Sequence, residues 1–236
     1  MEVHHHAHHG GKKNWRSYIW EFVMLFLAVF CGFLAEWRLE QVIENHREEE
    51  YVHSMVEDIN ADVKQTSFLI TDLTNRINVC DSLLLTLSSE EVKQDSRQAH
   101  RLWLTAIGFP DFVQNDRTIQ QLKSSGGLRL IRNKVASDRI MEYDQSVRQV
   151  SVTQNNMNIL AGNSELFTRL FDFIQLSKQT GQPVPLNESG VKLLNEAYAN
   201  RFFWKANING LRQRLKLLNE KGKAVSEEIR KQYHMD

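Results

Sequence analysis

Five histidines crowd one end of the sequence, His4, His5, His6, His8 and His9, and imidazoles at this density bind Zn, Ni or Cu. Ala7 interrupts the run, which sets it apart from an unbroken expression tag. A second candidate is Glu21, a carboxylate near the start of an apolar run. A charge there is costly unless it faces a packed interior, water or the headgroup layer. Third, Glu36, Glu40, Glu44 and Glu48 recur at helical spacing and share one face. Repeated around an assembly, this acidic stripe would concentrate cations; in a single chain it is a solvated face offset by Arg38 and Arg47. Nothing else has the spacing of a reactive site. His46, His53, His100 and His234 are scattered, without His-Glu-x-x-His or Cys-x-x-Cys spacing. G-x-S-x-G, phosphate-loop and dinucleotide patterns are missing, and Ser124 and Ser125 beside Gly126 read as a turn. Cys31 and Cys80 form no disulfide framework or metal cage by themselves and read as small buried hydrophobes. No catalytic residue, cofactor or enzymatic activity is expected.

The elements that position these groups begin with "YIWEFVMLFLAVFCGFLAEW", residues 18 to 37. Trp15, Tyr18 and Trp20 precede its apolar core and Trp37 follows, as aromatic belts do at the two faces of a bilayer. As a helix, Trp15 to Trp37 covers about 33 Å, enough to cross a hydrocarbon core of about 30 Å. No small-x-small cleavage site precedes a polar start, so the segment reads as one uncleaved transmembrane helix, residues 15–37. Lys12, Lys13 and Arg16 precede it, whereas Arg38 follows amid Glu36 and Glu40. The positive-inside rule then puts residues 1–14, the His-rich tail, in the cytoplasm and residues 38–236 outside it. Glu21, Leu25, Ala28, Gly32 and Ala35 share one face, and the small residues among them form a packing seam along which transmembrane helices approach closely.

Beyond the span the chain has helical periodicity throughout. With only 3 prolines and 11 glycines, long helices can run uninterrupted. Val52, Val56, Ile59, Val63, Thr66, Ile70, Leu73, Ile77, Cys80, Leu84 and Leu87 follow spacings of four and three, a heptad seam. The transmembrane helix is expected to continue into it. Ile140, Tyr143, Val147, Val150, Met157, Ala161, Phe167, Phe171 and Ile174 predict a second long helix within about 132–178. A third runs through Val191, Leu194, Tyr198, Ile208, Leu211, Leu215, Leu218, Val225 and Ile229, with Asn187 or Ser189 as its cap. Between the first two, "RQAHRLWLTAI" predicts a short helix stopped by Gly108 and Pro110. A further helix starts near Asp116 and ends at Ser124-Ser125-Gly126-Gly127. This compact segment, residues 90–131, reads as a helical cap between long arms. Phe202, Phe203 and Trp204 are consecutive, so they cannot all face one core, and one of them reads as a docking residue. The fold class is all-α: an N-terminal transmembrane helix continuing into an elongated antiparallel bundle of about three long helices plus short ones.

"EFVMLFLAVFCGFLAEWRLE", "EEEYVHSMVEDINADV" and "TIQQLKSSGGLRLIRNKVASDRIMEY" resemble a family of uncharacterised single-span inner-membrane proteins from Bacteroidota. The resemblance covers most of residues 15–150 and implies an inner-membrane location with a helical domain on the periplasmic side. It implies no activity and no site residues. Formal net charge is +0, so no bulk field favours nucleic acid. The expected partners are the lipid bilayer and either further copies of the chain or another membrane protein. The leading reading is a membrane-anchored structural or interaction protein, oligomeric or an accessory subunit of a membrane complex. Its alternatives are an extracytoplasmic sensor or transducer, and a channel subunit with Glu21 and the acidic stripe lining an ion path.

Overall fold

The computed structural model describes residues 14–161, 165–178 and 181–235. Among them there are eight α-helices, one turn of 3-10 helix and no strand. The helices are α1 (Trp15–Ser88), α2 (Glu91–Gln94), α3 (Arg97–Ile107), α4 (Arg117–Ser124), α5 (Lys134–Ala161), α6 (Glu165–Leu170), α7 (Phe173–Ser177) and α8 (Glu188–Gln232). The chain divides into two compact units, one up to Glu49 and one from Glu50 onward, and the boundary falls inside α1.

In the unit from Glu50 onward, side-chain bonds fix the direction of each leg. Asn60 bonds Ser226, Val63 and Thr66 bond Asn219, Thr74 bonds Arg212, and Asp81 pairs with Lys205. Partners therefore fall in sequence as α1 rises, and this part of α1 is antiparallel to α8. Asn133 with Gln232 and Ser146 with Lys221 show the same for α5 and α8. The intervening segment runs back down α1: Arg76 donates to Thr105 O, and Asp62, Asp58 and Tyr51 meet Asn115, Thr118 and Gln121 in turn. The unit is thus an up-down-up-down four-helix bundle whose second leg is split into α3 and α4 by a stretch without regular structure, residues 108–116. The segment that reads in the sequence as a cap is a full leg of the bundle.

Local chemistry sets the element ends. α3 stops at Gly108, and α4 starts after Asp116. Gly126 adopts φ 68°, a left-handed backbone open to glycine, and turns the chain out of α4. The side chain of Asn187 accepts from Gly190 N at 2.7 Å and caps α8, as its position before the periodic run suggests. The expected second long helix is broken: α5 ends at Ala161, and Asp172 caps the separate α7 by accepting from Gln175 N. Ile174, placed in the second seam by spacing, is exposed because it belongs to this short helix. The third seam holds from Ile208 to Ile229, whereas Val191 and Tyr198 in its first turns stay exposed.

The core is one cluster drawn from every leg. Ile59, Leu73, Trp103, Ile119, Leu122, Ile140, Ile208 and Leu211 are among its most buried members. α8 packs tightly at Gly222, where an added Cβ would lie 2.8 Å from Val63 Cγ2 and 3.2 Å from Tyr143 Cε2. Only glycine lets α1, α5 and α8 meet there.

Candidate functional site

The first candidate is the apolar stretch of α1. Trp15, Tyr18, Trp20, Phe22, Leu25, Phe26, Phe30, Phe33 and Trp37 are all exposed, on every side of the helix. Phe22, Phe26 and Phe30 stack along one edge at four-residue spacing, with ring centroids 6.4 and 5.9 Å apart. This helix is long and apolar enough to cross a membrane, and the apolar window has none of its residues buried. The sequence-derived packing seam, Glu21, Leu25, Ala28, Gly32 and Ala35, is exposed throughout, and nothing lies within 4 Å of a Cβ built at Gly32. Cys31 is exposed as well, in contrast to the buried position expected for it. The histidines of the tail, His4 to His9, lie outside the described residues.

The acidic stripe is not uniform. Glu36 and Glu40 are exposed, Glu44 is half-buried and Glu48 is 7% exposed. A stripe lining water along its whole length would keep Glu48 wet, so the solvated part ends before it.

The second candidate is a set of buried polar groups in the bundle, built around Asp62 at 1% exposure. Asp62 Oδ1 accepts from the backbone N and the side-chain Nδ2 of Asn115, each at 2.8 Å, and Oδ2 accepts from the Tyr143 hydroxyl at 3.0 Å. One turn earlier Asp58 accepts from Thr118 N at 3.1 Å, with Arg117 at 3.7 Å. Two carboxylates on one face of α1 thus hold the N-terminal end of α4, where unpaired amides and the helix dipole favour negative charge. Burial pushes the Asp62 carboxyl above its ordinary range; the Asn115 and Tyr143 bonds oppose this and the Asp58 charge adds to it. The same burial, reinforced by Asp62, raises the Tyr143 phenol. On α5 the buried Asp144 takes both Lys123, at 2.8 Å, and Arg148.

The third is an aromatic cluster where α3, α6, α7 and α8 meet. The His100 ring stacks on Phe167 at 5.6 Å and meets Phe171 and Phe173 edge-on, while Trp103 stacks on the other side of the group. Burial lowers the affinity of His100 for a proton, and its Nε2 has no partner among the described residues. Of the scattered histidines, this one packs. Arg201 lies 4.2 Å over the Trp103 ring and is 7% exposed; burial draws it down to about 10. Trp204 donates to Ala106 O at 2.8 Å and is buried, but Phe202 and Phe203 remain exposed. The three aromatics therefore divide as one core residue and two surface ones.

Chemically these groups pin and orient helices. Among the described residues, no three or more His, Cys, Asp and Glu side chains gather to hold a metal ion. Cys80 is fully buried, and burial raises its thiol. Spacing alone passed over Asp58, Asp62 and Asp144, whose polarity hid their place in the helix interfaces. Compared with known proteins, the chain matches no family model, no curated protein and no solved structure.

Proposed function

We propose that the chain is a single-span membrane protein of the bacterial inner membrane, with its N-terminus in the cytoplasm and its helical bundle in the periplasm. In this reading it is a structural or interaction protein that oligomerises or serves a larger membrane complex. One observation carries it: a helical segment whose large apolar side chains are exposed all round, which only a lipid phase or other helices would cover. The charge bias of Lys12, Lys13 and Arg16 supports the orientation. The same reading takes the chain as a member of the Bacteroidota family that its anchor and SSGG turn resemble. The seam from Glu21 to Ala35, open in the single chain, is then the face that meets a second copy or another membrane subunit. A channel role has less support, because only Glu36 and Glu40 of the acidic stripe are exposed, Glu44 being half-buried and Glu48 buried.

The test is native mass spectrometry of the full chain in mild detergent, preceded by a carbonate wash of membranes. Retention in the washed membrane with a defined oligomer or a copurifying subunit is the expected result. Release by carbonate overturns the anchor, and a bare monomer overturns the interaction role.

A further inference from the structure

A cleft of about 600 Å³ opens between the first turns of α3, α7 and the residues leading toward α8. Its size falls in the range of small-molecule sites. Most of its charge is already engaged. Arg97 directs Nε and Nη2 to Asp95 and donates Nη1 to Gly181 O at 2.6 Å. Asp95 is committed in turn to Arg97 and to Val184 N, and the Arg97 guanidinium holds its carboxyl down at about 2. This knot builds the wall and fixes the segment opposite α3.

What remains is one cation and a set of amides. Arg101 lies one turn beyond Arg97 on the same face, is exposed, and has no acceptor among the described residues. The amides of Gln98 and Gln182 line the cleft with no partner among those residues. The first turn of α3 contains no acid, and Ser96 makes no side-chain cap because its hydroxyl donates to Val184 O at 2.8 Å. Asp95 Oδ1 instead accepts from Arg97 N at 3.2 Å, so the start of α3 already meets a carboxylate. His100, whose buried Nε2 has no partner among the described residues, forms part of the same lining. Asp95 cancels Arg97, so the described lining presents a single net positive charge among neutral donors and acceptors.

We infer that this cleft binds a small, hydroxyl- or amide-rich carboxylate. Arg101 takes the carboxylate, and the Gln98 and Gln182 amides bond the polar body of the ligand. One uncompensated cation matches a monoanion; a dianion would need a second. The inference is independent of the membrane reading, since every residue it uses lies in the unit from Glu50 onward.

Thermal unfolding of the full chain in detergent tests it, with four probes: D-gluconate, sorbitol, acetate and inorganic phosphate. Gluconate in tenfold excess over its Kd raises Tm by about 3 °C, while sorbitol and acetate at the same concentration do not. Arg101→Gln keeps the unliganded Tm, because Arg101 is exposed and unpaired, and weakens gluconate at least tenfold. Gln98→Ala weakens gluconate without creating a response to acetate. A gluconate shift equal in Arg101→Gln, a response to phosphate alone, or no response to gluconate overturns the proposal.

Discussion

Helix α1 holds two stretches that bury their apolar residues in different places. Early in the helix Phe22 and Leu25 are each 68% exposed, and the apolar residues around them recur with no polar face between. From Val52 to Leu87 the apolar residues form a stripe, and Ile59 and Leu73 are 0% and 1% exposed under the other legs of the bundle. Helix propensity is similar in both, so propensity does not separate them. Periodicity does. A stripe leaves a polar face for water and can be covered by neighbours in the same chain, whereas an apolar surface all round a helix needs a different surrounding.

Deleting equal amounts of side chain from the two stretches should give the largest difference in stability. Leu73→Ala should destabilise the bundle by about 2–5 kcal/mol, because it opens a cavity among packed legs. Leu25→Ala should leave the bundle's unfolding within about 0.5 kcal/mol of the parent. Denaturant titration of both variants in detergent checks it, and equal losses would show that the two stretches share one core.

Charge sharpens the contrast in the opposite direction. Phe26→Arg should weaken membrane insertion by about 3 kcal/mol, read as loss from the carbonate-resistant fraction. Phe68, 66% exposed on the bundle part of the same helix, should accept arginine with a stability change of about 0.5 kcal/mol or less. A soluble, folded Phe68→Arg beside an uninserted Phe26→Arg is the expected pair.

The smallest effects come from two carboxylates with opposite responses to pH. Asp62 binds its proton more tightly folded than unfolded, so its contribution falls as pH rises from the ordinary carboxylate range through the raised folded value. Asp95, held down at about 2 by Arg97, contributes above the ordinary carboxylate pKa and loses that contribution as pH falls toward 2. Asp62→Asn should flatten the first dependence and Asp95→Asn the second, in unfolding curves recorded across acid pH. Asp62→Ala, which strands Asn115 and Tyr143, should lower stability by about 1–3 kcal/mol, more than Asp62→Asn.

The helical class and the limits of α3, α4 and α8 were legible because glycine, proline and capping residues mark them. The first seam was legible only in part. Two heptad registers share Val52, Ile59, Thr66, Leu73, Cys80 and Leu87. Hydrophobicity favours the one through Val56, Val63, Ile70 and Ile77. The more buried one passes through Met55, Asp62, Leu69 and Leu83. Asp62 disguised it, since a buried carboxylate is recognisable only once its partners, Asn115 just before α4 and Tyr143 on α5, are in place. The same long-range dependence hid the second leg: short helices joined by an irregular stretch show no continuous period, and their alignment with α1 rests on Asn115, Thr118 and Thr105. The break after Ala161 went unseen because Phe167 and Phe171 keep helical spacing across it. The exposed all-apolar stretch was the most legible feature, as its composition needs no partner to be read.

Asn219 has a consequence for how the bundle is indexed. Its amide donates to Val63 O and Thr66 Oγ1 at 2.8 Å and to Ser67 Oγ at 2.9 Å, a buried polar mark between α8 and α1 that lies between the Asn60–Ser226 and Thr74–Arg212 pairs. A slide of one heptad, about 10 Å, would still match aliphatic groups with aliphatic groups but would carry that amide away from all three oxygens. Repetition makes the pairing of two long helices degenerate, and this buried asparagine, with the polar pairs on either side of it, removes the degeneracy, as engraved lines on a plain scale turn sliding into measurement.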